Sequence, residues 1–501
     1  MDQDVFDIRK FDSYKEDNRR EVKKAKGGLP LSLWDSYSAF ANTNGGVILL
    51  GVLEREDGSW YTTGLKKEDT RKLIKNFWDT INDRKKVSIN LLADKDVEPY
   101  EVGDDLILAI TVPMARREDK PVYLNEDMFG HTFRRNSEGD YHCTRAQVKA
   151  MLRDQPENTM DMEILEDIPM EYLNMETVHG YRNRHKSLKP GHPFERYSDD
   201  EYLRCIGAAA VSSKDGKYHP TGAGLLMFGD EYNIVRQYPE YFLDYREMLD
   251  PTIRWTDRLH SSSGEWSGNV CDFYFRVYNK VIKEVKVPFK TVGGTRIDDT
   301  PVHKALREAL ANCLMNADFY ESRGVVIKLE DHKLTLENPG YIRVGKKQIR
   351  LGGVSDPRNK GLMKMFNLID IGERAGSGVP DIFNIWENEG FELPEIIEEF
   401  DPDRTKLILS FEKKKNQAKK TNDKKQTIKT NDKKQTVKLQ EHKETIVAYL
   451  RKAGEAKTAD IAEQLGLSPD RTRVILASMT ELEALGGNRN RVYRLREDSG
   501  K

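Results

Sequence analysis

The sequence predicts a multidomain protein of the α/β (α+β) class, and three observations support this. The chain has 501 residues, which exceeds a single hydrophobic core and suggests about three domains. Hydrophobic residues make up 38% of it, enough for globular cores. In two places an amphipathic helical pattern precedes strand-like segments, VILLGV at 47–52 and GVVIKLEDHKLTLENPG at 324–340.

Composition and charge restrict the function classes. The net charge is −2, so attraction to nucleic acid or anionic lipid must come from local clusters. The cysteines are widely spaced and include no CxxC pair, which fits a reducing compartment and argues against a disulfide framework or a thiolate zinc site. The first ten residues lack the apolar core of a signal peptide, and the longest apolar runs have strand length. We expect a cytoplasmic protein with no membrane partner.

Changes in composition divide the chain into four parts. The polar stretch RDQPENTMDMEI separates two expected domains, 1–153 and 160–412. The segment 413–440 follows, and between Lys413 and Lys438 it holds eleven lysines against two aspartates. Because like charges repel and little there can be buried, we expect a disordered linker, with contact to phosphates as the alternative. A compact pattern at 441–496 forms the last part.

The last part combines helical and strand-like patterns. ETIVAYLRKAG is amphipathic with a helical period, and KTADIAEQLGLSPDRTRVILASMTELEAL predicts two further helices. GGNRNRVYRL predicts a two-strand ribbon with a polar tip. Together they resemble a winged helix-turn-helix domain. The resemblance implies DNA binding, with Arg471 and Arg473 in the major groove and Arg489 and Arg491 on phosphate or in the minor groove. The alternative is a winged helix used for protein contact or dimerisation, and we expect a homo-oligomer.

Near the amino terminus, AFANTNGGVILLGVLE at 39–54 joins a helix to a strand. The preceding residues have helical periodicity from Pro30 onward, and VILLGV is typical of a strand buried on both faces. Gly45 and Gly46 allow positive φ and close backbone approach between the two elements. Upstream, Glu16 and Glu21 alternate with basic residues.

These motifs resemble the Schlafen AlbA-type domain, also called divergent AAA-4. The shared elements are Glu21-Val22-Lys23, Gly28-Leu29-Pro30, the AFANTNGG joint, Gly51 to Glu54, and YHCTRAQVKAML at 141–152. The resemblance implies nucleic-acid binding. We expect DNA as the partner, with RNA as the alternative. The residues it assigns to that contact are Lys23, Arg134 and Arg135.

In animal Schlafens three carboxylates support metal-dependent RNA cleavage. By this resemblance Glu16, Glu21 and Glu54 are candidate nuclease residues, since paired carboxylates can hold divalent ions that generate hydroxide. The alternative is that Glu21 and Glu54 form ion pairs with adjacent lysines on the surface. The domain would then bind nucleic acid without cleaving it.

The middle domain contains a polar helix face. LREALANCLMNADF at 306–319 places Glu308, Asn312 and Asn316 four residues apart, hence on one side of a helix. The strand pair at 324–340 follows this helix. The segments SDPRNKGL at 355–362 and ERAGSGVPDIF at 373–383 come after it. This order, with PTGAGLLMFG at 220–229, resembles the RecG-related carboxy-terminal module, a divergent relative of GHKL-type ATPases.

The GHKL resemblance implies ATP and Mg²⁺ as cofactors. It makes Glu308 the candidate base that activates water and Asn312 the Mg²⁺ ligand. Its other candidate cofactor-binding residues are Asn338, Gly340, Gly376 and Gly378. Glu337-Asn338-Pro339-Gly340 replaces the Asp-x-Gly-x-Gly that reads adenine, so the alternatives are nucleotide binding without turnover and no nucleotide binding.

Two functions fit this organisation. The first is a DNA-binding transcriptional regulator whose middle domain senses ATP. The second is a metal-dependent RNA or DNA endonuclease of the Schlafen type, gated by nucleotide and used in defence against foreign genetic elements. The carboxylate trio is present but departs from the pattern of the Schlafen family. We therefore favour the regulator over the nuclease.

Overall fold

The computed structural model divides the chain into two compact units, Met1–Lys414 and Lys415–Lys501. In the first unit it describes residues 6–285, 290–292, 295–297, 299–372, 376–400 and 402–413. In the second unit it describes residues 445–447, 449–465, 472, 475–476, 479, 482–485 and 492–495. Helices and sheets are mixed in the structure, which confirms the predicted α/β multidomain class.

The amino-terminal part of the first unit is built on a four-stranded sheet with the order β1-β2-β6-β5. Its elements are β1 (Arg20–Lys23), α1 (Ser32–Asn42), β2 (Gly46–Leu50), β3 (Val52–Glu54), β4 (Trp60–Thr62), α2 (Lys67–Ile81), β5 (Val97–Val102), β6 (Asp105–Val112), β7 (Phe133–Asn136), β8 (Gly139–His142) and α3 (Arg145–Asp154).

The predicted helix-to-strand joint is present. Helix α1 buries Leu33, Tyr37 and Phe40, which lie on one face, and every residue of β2 is buried between layers. Gly45 has a φ of +68°, and a Cβ there would lie 2.7 Å from the carbonyl oxygen of Val112. The glycine is therefore needed for positive φ and for close approach of the chain to β6.

The strand after the joint is shorter than the apolar run predicts. Strand β2 ends at Leu50, and Gly51 takes a φ of +88°. The next three residues, β3, pair antiparallel with β4 in a separate hairpin. Glu54 therefore ends a hairpin strand, opposite Trp60, and not the central strand of the sheet.

The middle part of the first unit carries a six-stranded sheet with the order β12-β11-β15-β16-β18-β17. Its elements are α4 (Met175–Leu188), α5 (Asp199–Ile206), β9 (Ala209–Val211), β10 (Tyr218–Pro220), α6 (Gly222–Phe228), α7 (Glu231–Gln237), β11 (Leu243–Met248), β12 (Asp257–His260), α8 (Val270–Glu284), β13 (Lys290–Val292), β14 (Thr295–Ile297), α9 (Pro301–Met315), β15 (Val325–Glu330), β16 (Lys333–Pro339), α10 (Lys346–Leu351), α11 (Lys360–Leu368), α12 (Gly378–Asn388), β17 (Glu395–Phe400) and β18 (Asp403–Ser410).

The sheet and its helices bury one large core. Helix α9 packs against α8 and α12 and also contacts strand β16. Strands β15 and β16 form the antiparallel pair that the sequence predicts, with Val326 opposite Glu337. Short 3-10 helices lie at Ile8–Ser13, Asp94–Asp96, Arg117–Asp119, Met160–Met162, Met170–Tyr172, Pro193–Arg196 and Ser261–Ser263.

The polar stretch expected to separate the first two domains is partly buried. Asp154, Thr159 and Asp161 are each less than 5% exposed. The Thr159 hydroxyl accepts the Lys360 N–H, and the Asp161 carboxylate accepts the Leu362 N–H, both at the start of α11. The polar residues of this stretch therefore cap helix α11 and form ion pairs. The stretch also connects the amino-terminal part of the unit to the middle part.

In the second unit, residues 445–447 and 449–453 are helical, and β19 (Glu455–Lys457), α13 (Thr458–Leu465), β20 (Leu482–Leu485) and β21 (Val492–Leu495) follow. Strands β20 and β21 pair antiparallel, with Leu482 opposite Leu495. Strand β20 lies where the sequence predicts the end of a helix, because cross-strand pairing overrides the helix propensity of LEAL. The winged helix-turn-helix domain stays a prediction. Within the stretches of chain that the structure describes, no helix is long and apolar enough to cross a lipid bilayer.

Candidate functional site

Helix α9 presents the polar face predicted from sequence. The helix begins at Pro301 after the N-cap Thr300, which fixes its register. The Asn312 Nδ2 donates to Glu308 Oε1 at 3.0 Å, and the Asn316 Nδ2 donates to the Asn312 carbonyl oxygen at 2.9 Å. The three side chains thus share one face of α9, as their spacing predicts.

This face forms one wall of a cavity in the middle part. The cavity is partly open to solvent. The cavity is lined by five of the residues predicted to bind or act on a nucleotide, namely Glu308, Asn312, Asn338, Gly376 and Gly378. Its apolar lining includes Met315, Leu336, Ile342, Ile349, Val354, Val379, Ile396 and Leu407. A mostly apolar cavity with a few convergent polar groups is typical of a small-molecule site.

Two glycines bring the loop before α12 close to the cavity. A Cβ at Gly378, the first residue of α12, would lie 1.8 Å from Glu308 Oε1. Only glycine therefore lets the carboxylate lie against the amino-terminal end of α12, where a negative charge is favourable. Gly376 has a φ of +67°, and a Cβ there would lie 2.6 Å from the Val354 carbonyl oxygen.

Strands β16 and β18 supply the polar groups on another wall. Asn338 lies directly opposite Thr405, and both residues line the cavity. The Asn338 Nδ2 donates to the Pro339 carbonyl oxygen at 3.1 Å, and the Thr405 hydroxyl donates to the Gly340 carbonyl oxygen at 2.8 Å. Sequence reasoning missed Thr405, because only the strand register places it beside Asn338. No local signal in the sequence of β18 distinguishes Thr405 from the other polar residues of the strand.

Gly340 has a different neighbour from the one expected. Its φ is +97°, and a Cβ there would lie 2.3 Å from Arg358 Nη1. Gly340 is not among the described residues that line the cavity. Arg358 itself donates to both carboxylate oxygens of Asp154, at 3.1 and 2.9 Å. Gly340 thus makes room for an arginine that anchors the end of α3.

The residues present fit a magnesium–nucleotide complex. The Glu308 carboxylate and the Asn312 amide are oxygen donors, the type that Mg²⁺ prefers. In the described portion of the chain no group of three or more His, Cys, Asp or Glu side chains could hold a metal ion. This is compatible with Mg²⁺ held by one or two side chains, with water and phosphate oxygens as its other ligands.

The candidate nuclease carboxylates are close neighbours in the structure. Glu16 Oε1 accepts the Val22 N–H at 2.8 Å, and Glu54 Oε2 accepts the Glu16 N–H at 3.3 Å. Burial raises the pKa of Glu16, and the nearby charges of Glu21 and Glu54 raise it further. Glu21 forms an ion pair with the adjacent Lys23 at 2.9 Å, but both side chains are less than 15% exposed, so this pair does not lie on the surface as the alternative expects.

The basic residues that the resemblance assigns to nucleic acid are engaged inside the protein. Arg134 forms an ion pair with Asp403 at 2.6 Å, and both side chains are less than 10% exposed. Arg135 contacts Glu21 at 2.7 Å and Asp140 at 2.9 Å. In this conformation these arginines hold elements of the fold together and are not available to surface phosphates.

The remaining candidates cannot be placed in the same way. Arg471, Arg473, Arg489 and Arg491 lie outside the described residues, as does the lysine-rich segment after Lys413. Their assignment to DNA contact stays a prediction.

Three stretches of the chain match known families. Residues 11–144 match the family described as "Schlafen, AlbA_2", and residues 297–409 match "ATP-dependent DNA helicase recG C-terminal". Between them, residues 149–244 match a domain of unknown function, DUF8451. The first two matches confirm the resemblances inferred from the amino-terminal motifs and from the helix face of the middle part.

Solved structures also resemble the chain. The DIP2311 protein from Corynebacterium diphtheriae is 16% identical, with a TM-score of 0.41, over 96% of this chain and 92% of that chain. The amino-terminal domain of a RecG-related protein from Nitrosomonas europaea is 24% identical, with a TM-score of 0.21, over 27% of this chain and 90% of that chain. At these TM-scores neither structure bears on function. No curated protein gives a significant match.

Proposed function

We propose that the protein is a nucleic-acid-binding regulator of transcription whose middle part binds ATP with Mg²⁺. The observation that supports this most is the cavity in which Glu308, Asn312 and Gly378 meet. It lies in the stretch similar to the RecG carboxy-terminal family, whose name describes an ATP-dependent DNA helicase. The Schlafen AlbA_2 match at residues 11–144 adds a nucleic-acid-related domain to the same chain.

In this proposal the cavity orients the nucleotide through side chains of three elements. Asn312 of α9 supplies the amide oxygen for Mg²⁺, and its Nδ2 holds the neighbouring Glu308 carboxylate. Asn338 and Thr405 supply polar groups beside the apolar wall, where a base would be buried. Bound MgATP supplies an activated phosphoanhydride bond. Glu308 is the group placed to accept a proton from water there.

DNA contact is assigned to the second unit. Because Arg134 and Arg135 are engaged with carboxylates, the proposal relies on Arg471, Arg473, Arg489 and Arg491 in the predicted winged helix. Contacts to phosphate release counterions, so this binding has to weaken with increasing salt.

Fluorescence anisotropy with a labelled 30-base-pair duplex tests the DNA part of the proposal. We expect the full chain to bind at low salt, and the change Arg489→Ala with Arg491→Ala to weaken binding to every sequence and to flatten the salt dependence. Arg204→Ala, at an exposed arginine of α5, is the matched control and leaves binding unchanged. Absence of binding by the full chain at low salt would refute the DNA part.

A second candidate is a metal-dependent nuclease. It rests on the closeness of Glu16 and Glu54 and on the Schlafen resemblance, although among the described residues Glu16, Glu21 and Glu54 do not form a group of three that could hold a metal ion. Incubation of the pure protein with labelled tRNA and duplex DNA, with and without Mg²⁺ or Mn²⁺, separates the two candidates. The regulator predicts intact substrates. The nuclease predicts metal-dependent cleavage that Glu54→Gln removes while binding is retained, because one repelling charge is gone.

A further inference from the structure

The amino-terminal and middle parts of the first unit meet at a set of buried and partly buried ion pairs. From the amino-terminal part, four charged residues reach across to the middle part. The pairs are Arg117 with Asp356, Arg134 with Asp403, Arg153 with Asp318 and Glu321, and Asp154 with Arg358. Burying charges is costly unless they are paired, so these contacts make the relative position of the two parts specific.

One of these pairs reaches the cavity. Asp356 lines the cavity, and its Oδ2 lies 3.3 Å from Arg117 Nε. Arg343 also lines the cavity, and its Nε lies 3.6 Å from the same oxygen and 3.8 Å from Asp154 Oδ2. The Arg343 side chain is only 3% exposed, and its Nε is buried without a hydrogen-bond partner. The carboxylate of Asp356 is therefore shared between the cavity wall and the amino-terminal part.

Arg117 connects this carboxylate to the end of helix α3 in the amino-terminal part. Its Nη1 donates to the carbonyl oxygens of Asp154 and Gln155, both at 2.9 Å, where α3 ends. Three residues later the buried Lys120 donates from Nζ to the carbonyl oxygen of Asn42, at the end of α1. Arg117 itself thus contacts both Asp356 and the end of α3, and the contact with α1 is made by its neighbour Lys120.

Arg153 offers an internal comparison. It also belongs to the amino-terminal part, and its Nη2 contacts Asp318 at 2.9 Å and Glu321 at 2.7 Å. Neither carboxylate is among the described residues that line the cavity. Arg117 and Arg153 thus make similar ion pairs across the same boundary, and only the partner of Arg117 faces the cavity.

We propose that Arg117 couples occupancy of the cavity to the amino-terminal domain through Asp356, so that nucleotide binding and the Schlafen AlbA_2-like domain regulate each other. This inference rests on the proposed nucleotide site. Phosphate groups in the cavity meet the negative charge of Asp356, which Arg117 and Arg343 partly neutralise. A ligand that changes how Asp356 shares these two arginines changes the contact of Arg117 with the end of α3. If nucleotide binding changes this contact, a substitution that removes the contact must in turn change the nucleotide affinity.

Calorimetric titration of the full-length protein with MgATP, MgADP and adenosine tests the coupling in wild type, Arg117→Gln and Arg153→Gln. For Arg117→Gln we expect at least a fivefold loss of MgATP affinity, a smaller loss for MgADP and no loss for adenosine, which has no phosphate to repel. For Arg153→Gln we expect all three affinities within twofold of wild type, although both variants lose a buried ion pair and melt earlier. Equal effects of the two variants on MgATP affinity would overturn the coupling.

Hydrogen exchange on the wild type keeps the test independent of variant folding. We expect MgATP to change exchange of the amides in 117–120 and 153–156, and Arg117→Gln to remove that response. MgATP binding without any change in these segments would overturn the inference and leave the proposed nucleotide site intact. Failure of wild type to bind any nucleotide would overturn both.

Discussion

The buried carboxylate of Asp161 makes the stability of the protein depend on pH. Asp161 is 1% exposed and accepts hydrogen bonds from the Thr159 hydroxyl and the Leu362 N–H. Burial nevertheless raises its pKa to about 6, because the surrounding protein solvates the charge less well than water does. In the unfolded chain the same group has a pKa near 4.

The change Asp161→Asn should remove a defined pH dependence. Between about pH 4 and pH 6 the folded protein binds this proton more tightly than the unfolded chain, so the stabilisation present at low pH is lost as pH rises. Two pKa units correspond to about 3 kcal/mol in the free energy of unfolding. Urea denaturation at pH 4.5, 5.5 and 7 measures it. Wild type should lose stability relative to Asp161→Asn across this range, and parallel curves would contradict the assignment.

Removing one partner of the Arg134–Asp403 pair should be more harmful than removing both. Asp403→Asn leaves the Arg134 guanidinium buried without its counter-charge, and we expect about 3–5 kcal/mol of destabilisation. The double change Arg134→Met with Asp403→Leu should cost less than either single change. Chemical denaturation of Arg134→Met, Asp403→Leu and the double variant gives the coupling energy. Additive losses would show that the two side chains do not interact.

At the scale of elements, the contact between α9 and α12 depends on a glycine. A methyl group at Gly378 would occupy the place of Glu308 Oε1, so either the carboxylate or the start of α12 must move. We expect Gly378→Ala to lose nucleotide binding and to lower the free energy of unfolding by about 1–3 kcal/mol, the range for overpacking. Thermal melting with and without MgATP measures both effects.

Gly180, in the interior of α4, is the control for this substitution. A Cβ there would have nothing within 4 Å. Gly180→Ala should therefore stabilise the protein by about 0.5–1 kcal/mol through helix propensity and leave MgATP binding unchanged. If Gly378→Ala behaved like Gly180→Ala, the close contact of Glu308 with α12 would be wrong.

The elements whose signals are local could be predicted from sequence. The α1–β2 joint, the polar face of α9 and the strand pair β15–β16 follow from hydrophobic period and glycine placement. Three other features could not be predicted from sequence. They are the neighbour of Gly340, the register that sets Thr405 beside Asn338, and the burial of Arg134. They depend on contacts between different segments of the chain, which leave no local pattern. Strand β20 was missed because its pairing with β21 overrides the local helix propensity.

At the scale of the whole molecule, the amino-terminal and middle parts form one compact unit, Met1–Lys414. The polar stretch between them caps α11 through Asp161, and the end of α3 is fixed by Arg358. The stretches that match the two families therefore contact each other through buried side chains. In our proposal, a ligand in the cavity binds to this single unit.

The central claim is that the cavity binds a magnesium–nucleotide complex, and calorimetric titration of the full chain with ATP tests it most directly. We predict saturable binding that requires Mg²⁺, at least a tenfold loss of affinity in Asn312→Ala, and retained binding in Glu308→Gln. Asn76→Ala, at an exposed amide of α2, is the control, and we expect it to leave binding unchanged. No heat of binding at millimolar ATP with Mg²⁺, together with an unchanged melting temperature, would contradict the claim.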